Sequence, residues 1–132
     1  MQDSEIGTKR DGCPFCSVSD RLILAENESA LAFYDGYPVS EGHALVISRR
    51  HAAHYFELTT KEKHRMWDLV DEVVSHLQEK HHPDGFNIGF NVQEAGGQTV
   101  FHTHIHIIPR YEGDVPDPRG GIRHVIQDKG CY

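Results

Sequence analysis

The 132-residue chain lacks any apolar run close to the ~20 residues that cross a bilayer, and its first twelve residues, MQDSEIGTKRDG, lack the apolar centre of a secretory signal. Neither a membrane span nor a leader is therefore expected. Positive charge is also scarce: 13 Lys and Arg face 20 Asp and Glu, a formal net charge of −7. A chain that grips the phosphate backbone of a nucleic acid normally shows a basic face, so a nucleic-acid polymer is not expected as a partner, and an anionic ligand has to be held locally. Cysteine is limited to three, an odd number, which argues against a disulfide framework. A reduced, cytoplasmic setting fits better, with a metal or redox role for the close pair Cys13 and Cys16. No internal repeat or low-complexity tract is present.

What remains describes one small soluble domain: 38% hydrophobic residues, 25% charged residues, and a length at which a bound metal or a dimer partner would add useful stability. LILA (22–25) and ALAFY (30–34), separated by ENES, read as paired strands; DGYP (35–38) is a turn, and HALVIS (43–48) is a third strand. The period then changes. In residues 59–82 the apolar positions Met66, Leu69, Val70, Val73, Val74 and Leu77 recur at three and four, which predicts one helix with a core-facing stripe. Thr59 and Glu62 form a capping-box pattern at its start, and Pro83 and Gly85 stop it. FNIGFNV (86–92) alternates as a half-buried strand, EAGGQT (94–99) is a glycine-bearing loop, and FHTHIHIIPR (101–110) is a last strand. Short turns between strands and a single covering helix predict an α+β fold, an antiparallel β-meander sheet covered by one long helix. The expected organisation is a flexible segment 1–12, a domain 13–112, and a Pro/Gly-rich tail 113–132 that reads as a surface loop with a short apolar end.

The chain has eleven histidines. His64, His76, His81 and His82 fall on or just after the helix and read mostly as solvated surface groups, while His54 and His124 have no motif around them. His43, His51 and the row His102, His104, His106 are left. On a strand, alternate side chains share a face roughly 6–7 Å apart, so the row lines up three imidazoles while Thr103, Ile105 and Ile107 point to the core. A single histidine there would be a solvated polar residue; three in strict alternation, flanked by Gly96-Gly97 and Pro109, point to chemistry. Either the row ligates a catalytic metal, or one ring is a nucleophile or acid/base group whose neighbours fix its tautomer. The preceding loop suits phosphate: Gly96 and Gly97 lack Cβ atoms and let backbone N–H groups approach closely, and Thr99 offers a hydroxyl.

The succession GHALVIS, RRH and NVQEAGGQTVFHTHIHIIPR resembles the histidine triad (HIT) family of nucleotide hydrolases and transferases, whose signature alternates three histidines with apolar residues. The likeness runs from about Cys13 to Arg110. Thr103 at a nominally apolar position and Ser48, where the family often has proline, are departures that bear on no chemistry. The resemblance implies that His104 attacks the α-phosphorus of a dinucleoside polyphosphate or nucleoside phosphoramidate, forming a nucleotidyl-histidine that water hydrolyses. It implies that the His102 carbonyl orients His104, that His106 and His43 contact phosphate oxygens with Thr99 beside them, and that Asp35, Gly36, Asn91, Gly97 and Gln98 bind the nucleotide, Asp35 at the ribose hydroxyls. Cys13-Pro-Phe-Cys16 resembles a mainly bacterial subset in which His51 and His102 complete a closed Cys2His2 zinc site, structural rather than catalytic. No organic cofactor and a homodimer are implied. Two other readings stand beside this one: a nucleotide-binding regulatory module with incidental slow hydrolysis, and a metal-dependent hydrolase using the row as ligands. Arg110, Arg119 and Arg123 are candidates for distal phosphates of a longer substrate.

Overall fold

In the computed structural model, which describes residues 12–18 and 21–131, alternation and turn chemistry yield five strands and one long helix. The strands are β1 (Ile23–Glu26), β2 (Ala30–Tyr34), β3 (Ala44–Ser48), β4 (Gly85–Gly89) and β5 (His104–Arg110), and α1 (Thr60–His81) joins β3 to β4. Apart from Gly12, the segment expected to be flexible, 1–12, lies outside the described residues. All neighbours pair antiparallel in the order β1-β2-β3-β5-β4. The first three strands form the expected meander; β5 then inserts between β3 and β4. The histidine strand thus has a paired neighbour on each side, which fixes the register of its side chains, and β4 takes the edge.

Strand alternation divides the sheet into two faces. Ala30, Ala32, Ala44, Val46, Ile105 and Ile107 pack with Met66, Leu69, Val70, Val73 and Leu77 of α1 into the main core. The opposite face carries a smaller cluster, Leu31, Phe33, Leu45 and Ile47, against which Phe15, Val18 and Ile23 pack. Ile47 pairs with His104 and Leu45 with His106, so the two imidazoles stand beside this second cluster. The working face therefore has apolar walls.

The helix begins where the capping box predicts: Thr59 Oγ1 accepts from the Glu62 N–H at 3.1 Å, and Glu62 Oε1 accepts from the Thr59 N–H at 2.8 Å. It ends at His81, with His82 in the left-handed region (φ 52, ψ 49) just before Pro83. Other boundaries differ from expectation for local reasons. β4 stops at Gly89 rather than running to 92, because the chain turns into the loop, where Gln93 has φ 64; Phe86, Ile88 and Phe90 nevertheless pack against the main core. β5 begins at His104. The Thr103 N–H and hydroxyl both bond to the Ala52 carbonyl, at 2.8 and 2.9 Å, which anchors the approach to the strand on the segment after His51. The tail contains a short 3-10 turn, Gly121–Val125, and its apolar end (Ile122, Val125, Ile126) is exposed. Among the described residues, no helix is long and apolar enough to cross a membrane.

Replacing Thr59 with Ala removes the side-chain half of the capping box. A loss of about 1 kcal/mol in unfolding free energy is expected from urea titration; an unchanged midpoint would contradict the assignment.

Candidate functional site

The turn at 13–16 closes with a bond from the Cys16 N–H to the Cys13 carbonyl at 3.2 Å, and neither cysteine is in a disulfide. Around it, Cys16 Sγ lies 3.1 Å from His51 Nδ1 and 3.5 Å from His102 Nδ1, while Cys13 Sγ lies 3.4 Å from His102 Nδ1. In a tetrahedral ion site with metal–sulfur and metal–nitrogen bonds near 2.3 and 2.0 Å, adjacent ligand atoms stand roughly 3.5 Å apart. All four donor atoms lie within 4.8 Å of one another, so the set could hold one metal ion. The buried His102 ring has the tautomer that ligation needs. Its Nε2 lies 2.7 Å from the Ser48 carbonyl, which can only accept, so the proton sits on Nε2 and Nδ1 turns its lone pair to the sulfurs. Ser48, unmarked by any motif, supplies that carbonyl; its hydroxyl donates to the Arg50 carbonyl.

The same reasoning assigns protons in the rest of the row. His104 Nδ1 is 2.7 Å from the His102 carbonyl and must donate to it, which leaves Nε2 with the lone pair. His43 Nδ1 accepts from the Val39 N–H at 3.1 Å, so the proton of a neutral His43 lies on Nε2, 3.0 Å from His106 Nδ1 and 3.4 Å from Asp35 Oδ2. His106 Nδ1 then accepts and its Nε2 carries a proton. Adjacent rings of one strand thus hold opposite tautomers. Burial is the main reason they stay neutral: it lowers His43 against the pull of Asp35, and lowers His104 against its bond to His102 and the Asp35 charge. It also pushes His106 down to about 4, helped by His104 and His43. Asp35, His43 and His106 also lie close enough to hold an ion. The Val39 bond opposes that use, because a protonated Nε2 on His43 cannot ligate.

A cleft of about 270 Å³ opens at this row, and His104, His106, Thr99, Asp35, Gly36, Asn91 and Gly97 are all on its wall. Two expected members are not. His43 is buried, with its Nε2 3.0 Å from His106 Nδ1. Gln98 is turned inward: its side chain accepts from the Gln93 N–H and donates to the Ala53 and Val100 carbonyls, so it frames the loop and leaves only its backbone for a ligand. Gly97 adopts φ +93, a left-handed conformation that suits glycine. The exposed Gly96 ends the short 3-10 turn before it.

The sequence reading missed Pro14, Phe15, Arg21, Tyr37, Leu45 and Val100, which complete the wall. Phe15 sits between the two cysteines and stands edge-on to His104 at 5.1 Å and to Phe33 at 5.9 Å. The Arg21 guanidinium lies 4.6 Å over the Phe33 ring. Leu45 was detectable only through its pairing with His106; nothing in the local sequence marks Arg21. The other arginines are engaged elsewhere. Arg110 holds Asp114 and Asn87, Arg119 holds Asp117, and Arg123 donates to the carbonyls of Lys129 and Gly130. The expectation that they meet distal phosphates finds no support in this arrangement.

A hydrogen-bonded histidine row on an interior strand of a five-stranded antiparallel sheet, beside a Cys2His2 donor set and next to a glycine loop, defines a class of small α+β domains with a histidine-lined cleft. The chain belongs to the HIT domain family, which matches residues 17–113. It is similar to Protein hit of Bacillus subtilis, at 36% identity over 109 residues (79% of this chain, 75% of that one). A solved HIT family protein from Bacillus anthracis superposes with a TM-score of 0.72 at 38% identity, covering 76% of this chain and 74% of that chain. A Zn-bound histidine triad family protein from Mycobacterium smegmatis gives a TM-score of 0.72 at 31% identity, covering 80% and 84%. Adenylylsulfatase HINT3 of Arabidopsis thaliana is 35% identical over 114 residues, 83% of this chain. The AP-4-A phosphorylase of Mycobacterium tuberculosis is 29% identical over 102 residues, 76% of this chain. This chain spans only 58% and 52% of those two proteins.

The neutral, buried His106 generates a stability prediction. Its folded value of about 4 lies below its ordinary 6.5, so between these values the unfolded chain binds more protons. Stability that is full above pH 6.5 should therefore fall as the pH drops toward 4. In urea titrations across that window, His106→Asn should flatten the slope; an equal slope in wild type and variant would contradict the assignment.

Proposed function

We propose that the protein is a nucleotide hydrolase or nucleotidyl transferase acting at the α-phosphate of a dinucleoside polyphosphate or nucleoside phosphoramidate. The observation that carries this reading is the bond from His104 Nδ1–H to the His102 carbonyl, which leaves a neutral ring with an Nε2 lone pair at the cleft wall. Nε2 attacks the α-phosphorus and a nitrogen–phosphorus bond forms; the bond to the leaving phosphate oxygen or amine nitrogen breaks with its electron pair, and the leaving group gains a proton. The His106 Nε2–H and the Thr99 hydroxyl are the donors on the same wall for that group and for the nonbridging oxygens. His43 holds His106 in its tautomer and is a positioning residue. Water, or a second acceptor in a transferase, then displaces His104 and restores the ring. Asp35, Gly36 and Asn91 take the nucleoside, a carboxylate being a good acceptor for ribose hydroxyls. The relatives named adenylylsulfatase and AP-4-A phosphorylase agree with this chemistry.

Cys13, Cys16, His51 and His102 are proposed to hold a structural zinc ion, in keeping with the Zn-bound relative and the tetrahedral spacing of the donors. When bound, the ion ties the 13–16 turn to the start of β5; the four ligands leave no position for water or substrate. A homodimer along the edge strand β4, which among the described residues pairs only with β5, and a cytoplasmic setting complete the proposal. The proton on His43 Nε2 weighs against a catalytic metal in the row.

Quenching the reaction with a nucleoside phosphoramidate should give a nucleotidyl adduct on His104 by peptide mass spectrometry. His104→Asn should fold and lose turnover by at least about a thousandfold. Full turnover in that variant would overturn the mechanism, and turnover far below ~1 s⁻¹ on every substrate tried would favour the regulatory binder. Chelation of the zinc-loaded protein is expected to lower its melting temperature. It should also weaken nucleoside monophosphate binding by calorimetry, because Phe15 lies between two ligands and packs on His104. An unchanged melting temperature would contradict the metal assignment.

A further inference from the structure

The loop from β2 to β3, residues 35–43, delivers Asp35 to the cleft wall at one end and His43 to the back of His106 at the other. Its middle is held from outside the cleft. Ser40 Oγ donates to the Pro109 carbonyl at 2.7 Å, and the Tyr111 hydroxyl donates to the Glu41 carbonyl at 2.6 Å. The third anchor is His81, the last residue of α1, whose side chain is only 11% exposed, against the expectation that it is a solvated helix histidine. Its Nδ1 lies 3.1 Å from Glu41 Oε2 and its Nε2 lies 3.0 Å from the Tyr34 hydroxyl, with the ring edge-on to Tyr34. A carboxylate only accepts, so Nδ1 donates to Glu41, and a neutral ring takes the Tyr34 proton on Nε2. Gly42 rests on the same ring: a Cβ there would lie 2.9 Å from His81 Cδ2, and its φ of +89 independently favours glycine.

Glu41 is 76% exposed, so the charge pair by itself contributes little. The arrangement places His81 between two points of the loop's frame. Tyr34 is the residue before Asp35, and Glu41-Gly42 are the two residues before His43. We infer that His81 is a positioning residue for the pocket: by bridging Tyr34 and Glu41 and seating Gly42, it sets the path of the loop and so the placement of Asp35 and His43. Its kinetic consequence rests on the nucleotide chemistry proposed above; its structural consequence does not. His104 is carried by β5 and not by this loop, so losing His81 acts on substrate binding through Asp35 and reaches the chemical step only through His43 and His106.

The test compares the full-length wild type with His81→Ala, His81→Gln, Gly42→Ala and, as a control on an exposed position of the same helix, His76→Ala. Two readouts are taken: imidazole NMR resonances of His43 and His106 without ligand, and steady-state constants with a dinucleoside tetraphosphate. His81→Ala should move both sets of resonances and raise KM about fivefold, with a smaller fall in kcat. His81→Gln, which retains a donor and an acceptor, should recover most of the KM, and His76→Ala should alter neither readout. Gly42→Ala, which strains the backbone at φ +89 and crowds the ring, should move the same resonances. Unmoved resonances in His81→Ala, or an unchanged KM in an active enzyme, would overturn the inference. Moved resonances in a protein whose wild type turns over no nucleotide would sink the proposed function and leave the positioning role standing.

Discussion

The hydrogen bond from His104 Nδ1–H to the carbonyl of His102 is the constraint on which the site depends. A carbonyl cannot donate, so a 2.7 Å contact to it fixes where the ring keeps its proton and which nitrogen is left nucleophilic. Two further backbone groups extend the control. The Ser48 carbonyl fixes the His102 proton on Nε2 and leaves the Nδ1 lone pair facing the cysteines, and the Val39 N–H, by occupying His43 Nδ1, passes an opposite tautomer to His106. Three chemically identical residues of one row therefore differ in which ring nitrogen keeps its proton, which suits them to the proposed roles of metal ligand, nucleophile and proton donor. The distinction comes from main-chain partners, which no side-chain pattern displays.

The sheet order makes these contacts possible. With β5 between β3 and β4, the row is held on both sides, and the segment leading into it is pinned by Thr103 to Ala52. The ring of His102 faces the cysteines while its carbonyl faces His104, so the donor set and the proposed nucleophile share one residue. Phe15 repeats the connection from the other direction, since the turn that presents both cysteines also lays an aromatic edge on His104. Burial of the row against the second apolar cluster keeps the imidazoles neutral at pH 7 despite the acidic chain, a condition that a nucleophilic ring nitrogen requires.

Much of this was legible in the sequence because the signals were periodic or local. The helix from Thr60 to His81 follows from its apolar spacing and from Thr59 and Glu62, and strand β2 follows from ALAFY between two turns. The Cys13, Cys16, His51 and His102 set could be named from the family resemblance, and the structure brings all four together. Other features depend on pairing partners that a linear pattern does not reveal. The inward turn of Gln98, the retreat of His43 behind His106 and the wall positions of Arg21 and Leu45 all follow from tertiary placement. His81 is the clearest case: on a helical wheel it is one more polar residue at a helix end, and only the fold brings Glu41, Gly42 and Tyr34 to it.

The most direct test of the central claim is nitrogen-15 NMR of the imidazoles in metal-loaded protein at neutral pH, with the His104 and His106 signals assigned by substitution. The expected spectrum has His104 neutral with its proton on Nδ1 and a lone pair on Nε2, and His106 neutral with the reverse arrangement. A proton on His104 Nε2, or a doubly protonated His104 ring at that pH, would contradict it.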